Sequence, residues 1–115
     1  MFIKSIATAL AAAMFGSFAS ATPGRGTMLS SWYGGYFHGR TTANGETYDM
    51  YGHTAAHKTL PFGTKLHVCY RGCVDVRIND RGPFIGDREL DLSYGAALAI
   101  GLIPSGVDYV SFTYI

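Results

Sequence analysis

The sequence predicts a mainly β fold, a small closed β-barrel with one or two short helices. Three observations carry that prediction. Apolar and polar residues alternate over short stretches; glycine and proline break the chain between them; and only one short run carries both helix-start and helix-stop signals.

The elements follow in chain order. Residues 1–21 read as a signal peptide. Lys4 gives the positive start, Ile6 to Phe18 the apolar stretch, and Ala19-Ser20-Ala21 the small-x-small cleavage pattern. That stretch falls short of the roughly 20 residues a spanning helix needs, so no stable membrane anchor is expected. Residues 22–27, with Pro23, Gly24 and Gly26, read as a flexible leader, and 28–115 as the barrel domain. Met28 to Tyr33 is the first expected strand. It runs into an aromatic, glycine-rich loop at Gly34-Gly35-Tyr36-Phe37, then a long polar loop over residues 39–53. A loop of that length in a small domain points to function. After Pro61, Leu66, Val68 and Tyr70 share one face. Val74, Val76 and Ile78 alternate with Asp75, Arg77 and Asn79, which makes the pair a hairpin. A short strand over Glu89 to Leu92 leads to Ser93, an N-cap for a helix that Gly101 ends. Val107 to Ile115 alternates again as a closing strand.

Composition excludes several classes. Nine Lys and Arg face eight Asp and Glu, and loss of Lys4 with the signal leaves eight against eight. No basic face exists to release counterions, so nucleic acid is not an expected partner. Glycan, read by hydrogen bonds and aromatic faces, suits a neutral surface. Cys69 and Cys73 flank Tyr70-Arg71-Gly72, and in an exported chain the default reading is a structural disulfide across a three-residue hairpin loop. Nothing in the pattern calls for a cofactor or metal. The pair His53 and His57 lacks the intervening glutamate of zinc proteases.

The chemistry lies in two acidic residues set in loop-forming stretches. Glu46 closes Gly39-Arg40-Thr41-Thr42-Ala43-Asn44-Gly45-Glu46, and Asp80 opens Asp80-Arg81-Gly82-Pro83-Phe84. Glycosidic cleavage uses two carboxyls, one to give a proton and one to manage developing charge. Asp80 follows the inward residues Val74, Val76 and Ile78, so alternation predicts that it continues the inward face while Arg81 points away.

These blocks, with Ser31-Trp32-Tyr33-Gly34, Thr54-Ala55-Ala56-His57-Lys58-Thr59-Leu60-Pro61-Phe62-Gly63-Thr64 and Asp91-Leu92-Ser93, resemble the rare lipoprotein A (RlpA) domain family across residues 30–115. The resemblance implies a six-stranded double-psi β-barrel, akin to expansin and barwin-like domains. It also implies lytic transglycosylase activity on peptidoglycan glycan strands, in a periplasmic or extracellular protein. By that resemblance Asp80, Glu46 and His57 are catalytic. Asp80 is the first choice as acid/base, Glu46 stabilises charge or shares the proton, and His57 donates to a carboxylate or sugar hydroxyl. The sequence leaves open which carboxyl is the acid. Tyr33 and Tyr36 are candidate sugar platforms. Asn44 and Asn79 either bind N-acetyl groups or cap turns, and Arg81 either touches substrate or holds a loop. A monomer is expected. The chain departs from the family in lacking a lipid-accepting cysteine and a C-terminal sporulation-related repeat, and in its shorter, cysteine-closed hairpin. The competing readings are an expansin-like wall-binding module without catalysis and an inverting glycoside hydrolase on the same barrel.

Overall fold

The computed structural model describes residues 24–115, so the signal-peptide reading of 1–21 lies outside the described residues. Strand β1 (Arg25–Tyr33) leads into a 3-10 turn (Gly35–Phe37) and the long loop. Then come β2 (Thr54–His57), β3 (Lys65–Cys69), β4 (Cys73–Asp80), β5 (Leu90–Ser93), helix α1 (Tyr94–Ile100) and β6 (Asp108–Tyr114). The six strands close a barrel in the order β1-β5-β2-β4-β3-β6. Two neighbouring pairs, β1 with β5 and β2 with β4, are parallel, and the other four are antiparallel. This is the six-stranded double-psi barrel.

Alternation builds the core. Leu66, Val68, Val76, Ile78, Leu90, Leu92 and Val110 point inward and are buried, and Ala96, Ala97 and Ile100 of α1 join them. Burying each Leu, Ile or Val contributes about 1.5–3 kcal/mol. The helix has the predicted limits. Ser93 Oγ accepts from the Ala96 amide at 3.2 Å, and Gly101 closes the helix in the left-handed region. Strand β1 starts at Arg25, earlier than the leader reading allows. Arg25, Gly26 and Thr27 already pair with Thr113, Phe112 and Ser111 of β6, a partner hidden from local composition.

The predicted hairpin is β3–β4. Cys69 lies opposite Cys73, and the two are disulfide-bonded. The amides of Arg71 and Gly72 at its tip donate to Ile100 O, so the hairpin also satisfies the end of α1. At the other end of α1, the Gly95 amide donates to Met50 O, and a Cβ on Gly95 would stand 2.6 Å from Tyr51 O. The long loop is therefore packed directly onto the helix start. Its anchor is Tyr48, which is buried and bridges the Tyr33 carbonyl and the Tyr94 amide through its hydroxyl.

Candidate active site

One register detail creates the site. Ala55 pairs with Ile78, but the next residue, Ala56, pairs with Asp80, so Asn79 is an extra residue in β4. A one-residue bulge turns the following side chain to the opposite face. Asp80 therefore shares a face with Ala56 and does not continue the inward row of Val76 and Ile78, a correction to the alternation argument. Ala56 also pairs with Asp91, and Asp91 with Ser31. Ser31, Asp91, Ala56 and Asp80 thus form one row across β1, β5, β2 and β4. Two strand spacings separate the aspartates, about 10 Å between Cα atoms, with only a methyl side chain between them.

The long loop covers the β4 end of this row. Asp80 Oδ1 accepts from the Ala43 and Arg81 amides, both at 2.9 Å. Glu46 is held by the Arg77 guanidinium through both oxygens, by Asn79 Nδ2 at 3.1 Å and by Asn44 Nδ2 at 2.9 Å. The Arg77 hydrogen bonds first, then those of Asn44 and Asn79, lower the Glu46 pKa to about 2. Glu46 and Asp80 accordingly border the same loop, 34 residues apart in sequence yet joined through Asn79 and Ala43. Glu46 is a fixed anion there, unable to hold a proton near neutral pH.

Asp91 behaves oppositely. Burial pushes its carboxyl up to about 6, and the Asp80 charge adds to this; the Ser31 hydrogen bond and Arg88 oppose it. Ser31 Oγ donates to Asp91 Oδ1 at 3.0 Å. Beside the two aspartates, the Tyr33 phenol is raised above its usual range, first by burial and then by the charges of Asp80, Tyr48 and Asp91. Its hydroxyl is buried without a hydrogen-bond partner, Thr54 lying near but out of geometry.

The remaining candidates divide. Asn44 is spent on its own turn: its Oδ1 accepts from Thr42 Oγ1 and the Glu46 amide. Asn79 keeps a buried Oδ1 without a donor. Arg81 donates to the carbonyls of His57, Leu60 and Asp80 and stacks 3.9 Å from the Phe62 ring, so it holds the β2–β3 loop. His57 Nδ1 accepts from the Thr59 and Leu60 amides, which leaves its proton on Nε2. Burial first, then Arg81 and Lys58, lower its pKa to about 4. It lines a depression of about 470 Å³ with Met28, Glu89 and Phe112. Tyr36 is 75% exposed, with the Arg40 guanidinium 4.5 Å above its ring, and Phe37 packs edge-on against Tyr33 and Tyr36.

Sequence reasoning missed Arg77, Tyr48, Ser31 and above all Asp91. A signal existed for Asp91. It is a carboxylate in mid-strand between Leu90 and Leu92, at the head of the Asp91-Leu92-Ser93 block that carries part of the family likeness.

The fold and the site together define a closed double-psi barrel that carries Asp91 and Asp80 in one cross-strand row with the Tyr33 phenol beside them. The chain belongs to the lytic transglycolase family, whose model matches residues 25–112. It is 55% identical over 80 residues to the endolytic peptidoglycan transglycosylase RlpA of Pseudomonas aeruginosa, covering 67% of this chain and 24% of that protein. The Campylobacter jejuni protein of the same name is 54% identical over 81 residues, covering 68% and 30%. The chain thus spans roughly a quarter of the length of these relatives. In fold it is similar to the Streptomyces papain inhibitor, with a TM-score of 0.64 at 20% identity over 83% of this chain and 99% of that one. An expansin of Clavibacter michiganensis gives 0.64 at 22% identity over 79% and 50%. At those identities the likeness concerns the barrel alone.

Proposed function

We propose that this chain is an exported lytic transglycosylase domain that cuts peptidoglycan between N-acetylmuramic acid and N-acetylglucosamine. The observation that carries this reading is the cross-strand row, in which two carboxyls flank Ala56 beside the Glu46 clamp. Family membership and the relatives' names supply the substrate class.

The chemistry needs one carboxyl to protonate the glycosidic oxygen and a carboxylate to stabilise the positive charge that grows on the sugar ring. The muramic acid C6 hydroxyl then closes onto C1, giving a 1,6-anhydro end without consuming water. Glu46, locked as an anion by Arg77, serves as fixed negative charge at the cleft margin, and Asp80 meets the substrate directly through Oδ2. Asn79 Oδ1, lacking a donor, is suited to an N-acetyl N–H. Tyr36 offers an open aromatic face to a sugar ring, while the Tyr33 phenol stands close enough to feel the charges of both aspartates. His57 acts through position: its neutral imidazole fixes the turn to Leu60, which Arg81 in turn grips. Asn44 and Arg81 shape loops.

Digestion of purified sacculi followed by mass spectrometry tests the reading. Anhydro-muramic ends are expected from the wild type, with at least a hundredfold loss in Asp80→Asn. Reducing ends would mean hydrolysis, and bound sacculi with no released fragments would mean a wall-binding module.

A further inference from the structure

We infer that the β3–β4 hairpin carries a second, redox-gated site: once its disulfide is reduced, Cys69, Cys73 and His67 bind a zinc ion. The site lies at the opposite end of β4 from Asp80, so it stands or falls independently of the transglycosylase reading.

Strand register builds it. Leu66, Val68, Val74 and Val76 of the hairpin are buried, so alternation turns His67, Cys69, Cys73 and Asp75 to the outer face. Cys69 lies opposite Cys73, and His67 opposite Asp75. One ring nitrogen of His67 and the two sulfurs all lie within 4.8 Å of one another. Tetrahedral zinc, about 2.3 Å from sulfur and about 2.0 Å from nitrogen, needs its ligand atoms roughly 3.5–3.8 Å apart. With the S–S bond open, side-chain rotation brings the three atoms to that spacing. His67 Nδ1 donates to Asp75 Oδ1 at 2.7 Å, which orients the ring and raises its basicity. That pair is too open to solvent to add much to stability by itself.

The surroundings suit a cation bound by sulfur. Thiolate with imidazole selects zinc over calcium or magnesium. Uncharged Ser111 and Thr113 of β6 pair with Cys69 and His67, and Arg71, the cation between the cysteines, leans on Tyr70 and Gly101. The hairpin is also held independently of the sulfurs, by its own ladder and by Ile100 O, which accepts from the Arg71 and Gly72 amides.

The chemistry balances with a dithiol as reductant. One of its thiolates attacks the sulfur of Cys73, the more exposed cysteine, and Cys69 leaves as thiolate. The second reductant thiol then displaces Cys73 and closes the reductant's own disulfide, so two electrons and two protons pass to the chain. Zinc takes both cysteines as thiolates, releases those two protons and leaves its fourth position to water.

The test reduces the whole chain with a phosphine, which adds no competing thiol, then titrates cobalt(II) as a spectroscopic stand-in, followed by zinc. Reduced wild type should bind one ion per chain, with the intense visible bands of tetrahedral cobalt and a thiolate charge-transfer band that zinc abolishes. The oxidised chain has no thiolate to offer and should bind at least about a hundredfold more weakly. His67→Ala and Asp75→Asn, at side chains open to solvent, should each weaken binding about tenfold or more with the fold intact. Zinc should also restore the melting temperature lost on reduction, which binding to an unfolded dithiol would not do. A reduced chain without the tetrahedral bands would overturn the site. So would binding that ignores His67→Ala, or that leaves the melting temperature unchanged.

Discussion

Single carboxyls of the candidate site are tuned in opposite directions, and stability should record it. The Glu46 pKa is depressed from an ordinary value near 4.5 to about 2 by Arg77 and two asparagines. Its contribution is therefore present above pH 4.5 and lost as pH falls from 4.5 toward 2. Both side chains are 38% exposed, so solvent screening holds the effect to about 1 kcal/mol. Arg77→Ala should remove that acid sensitivity and lower stability by about this amount at pH 7, measured by urea unfolding at both pH values. Asp91 shows the reverse sign. Its pKa lies above the ordinary 3.8, so ionisation opposes folding, and stability falls as pH rises from about 4 to 6. Asp91→Asn should gain roughly 1–2 kcal/mol at pH 7.5 and nothing at pH 4. Thermal melts at the two pH values check this, and an equal gain at both would exclude an ionisation cost.

At the level of elements, the long loop is positioned by packing onto α1. Gly95 is where the two meet, with Tyr51 O 2.6 Å from any Cβ placed there. Gly95→Ala should cost roughly 1–3 kcal/mol, because backbone, and no flexible side-chain end, must move. The displaced loop carries Glu46 and the Ala43 amide, so activity should fall more steeply than stability. Comparing denaturation midpoints with turnover on sacculi decides it. Tyr48 explains why this loop was only partly legible in sequence. Its length and polarity announced a functional segment, but nothing local showed that one tyrosine is buried at its root and tied to Tyr33 and Tyr94. The β4 bulge is a similar case. Period-two counting placed Asp80 inside, and only pairing with β2 reveals that Asn79 is the surplus residue. Bulges are settled between strands, so a single strand's pattern carries no mark of them.

Across the whole molecule, the staple and the chemistry lie far apart. The disulfide closes the hairpin at Cys73, and Asp80 stands seven residues along β4, about 23 Å away at strand rise. The closed loop is short, so the bond stabilises by about 2 kcal/mol. Reduction should lower the melting temperature while leaving the initial rate on sacculi within about twofold; a large rate loss in protein that is still folded would mean that the hairpin tip reaches the cleft.

Five of the six strands, the helix from Ser93 to Gly101 and the hairpin were determined by the chain's own periodicity and turn residues, because these depend on neighbours a few positions apart; β2, only four residues long, carries too short a pattern to announce itself. What the tertiary structure decided was the alignment of Ser31, Asp91, Ala56 and Asp80 in one row, and the opposite proton affinities of Glu46 and Asp91. Both arise from strands distant in sequence, whose closure into a barrel sets which charges meet an arginine and which are withdrawn from water.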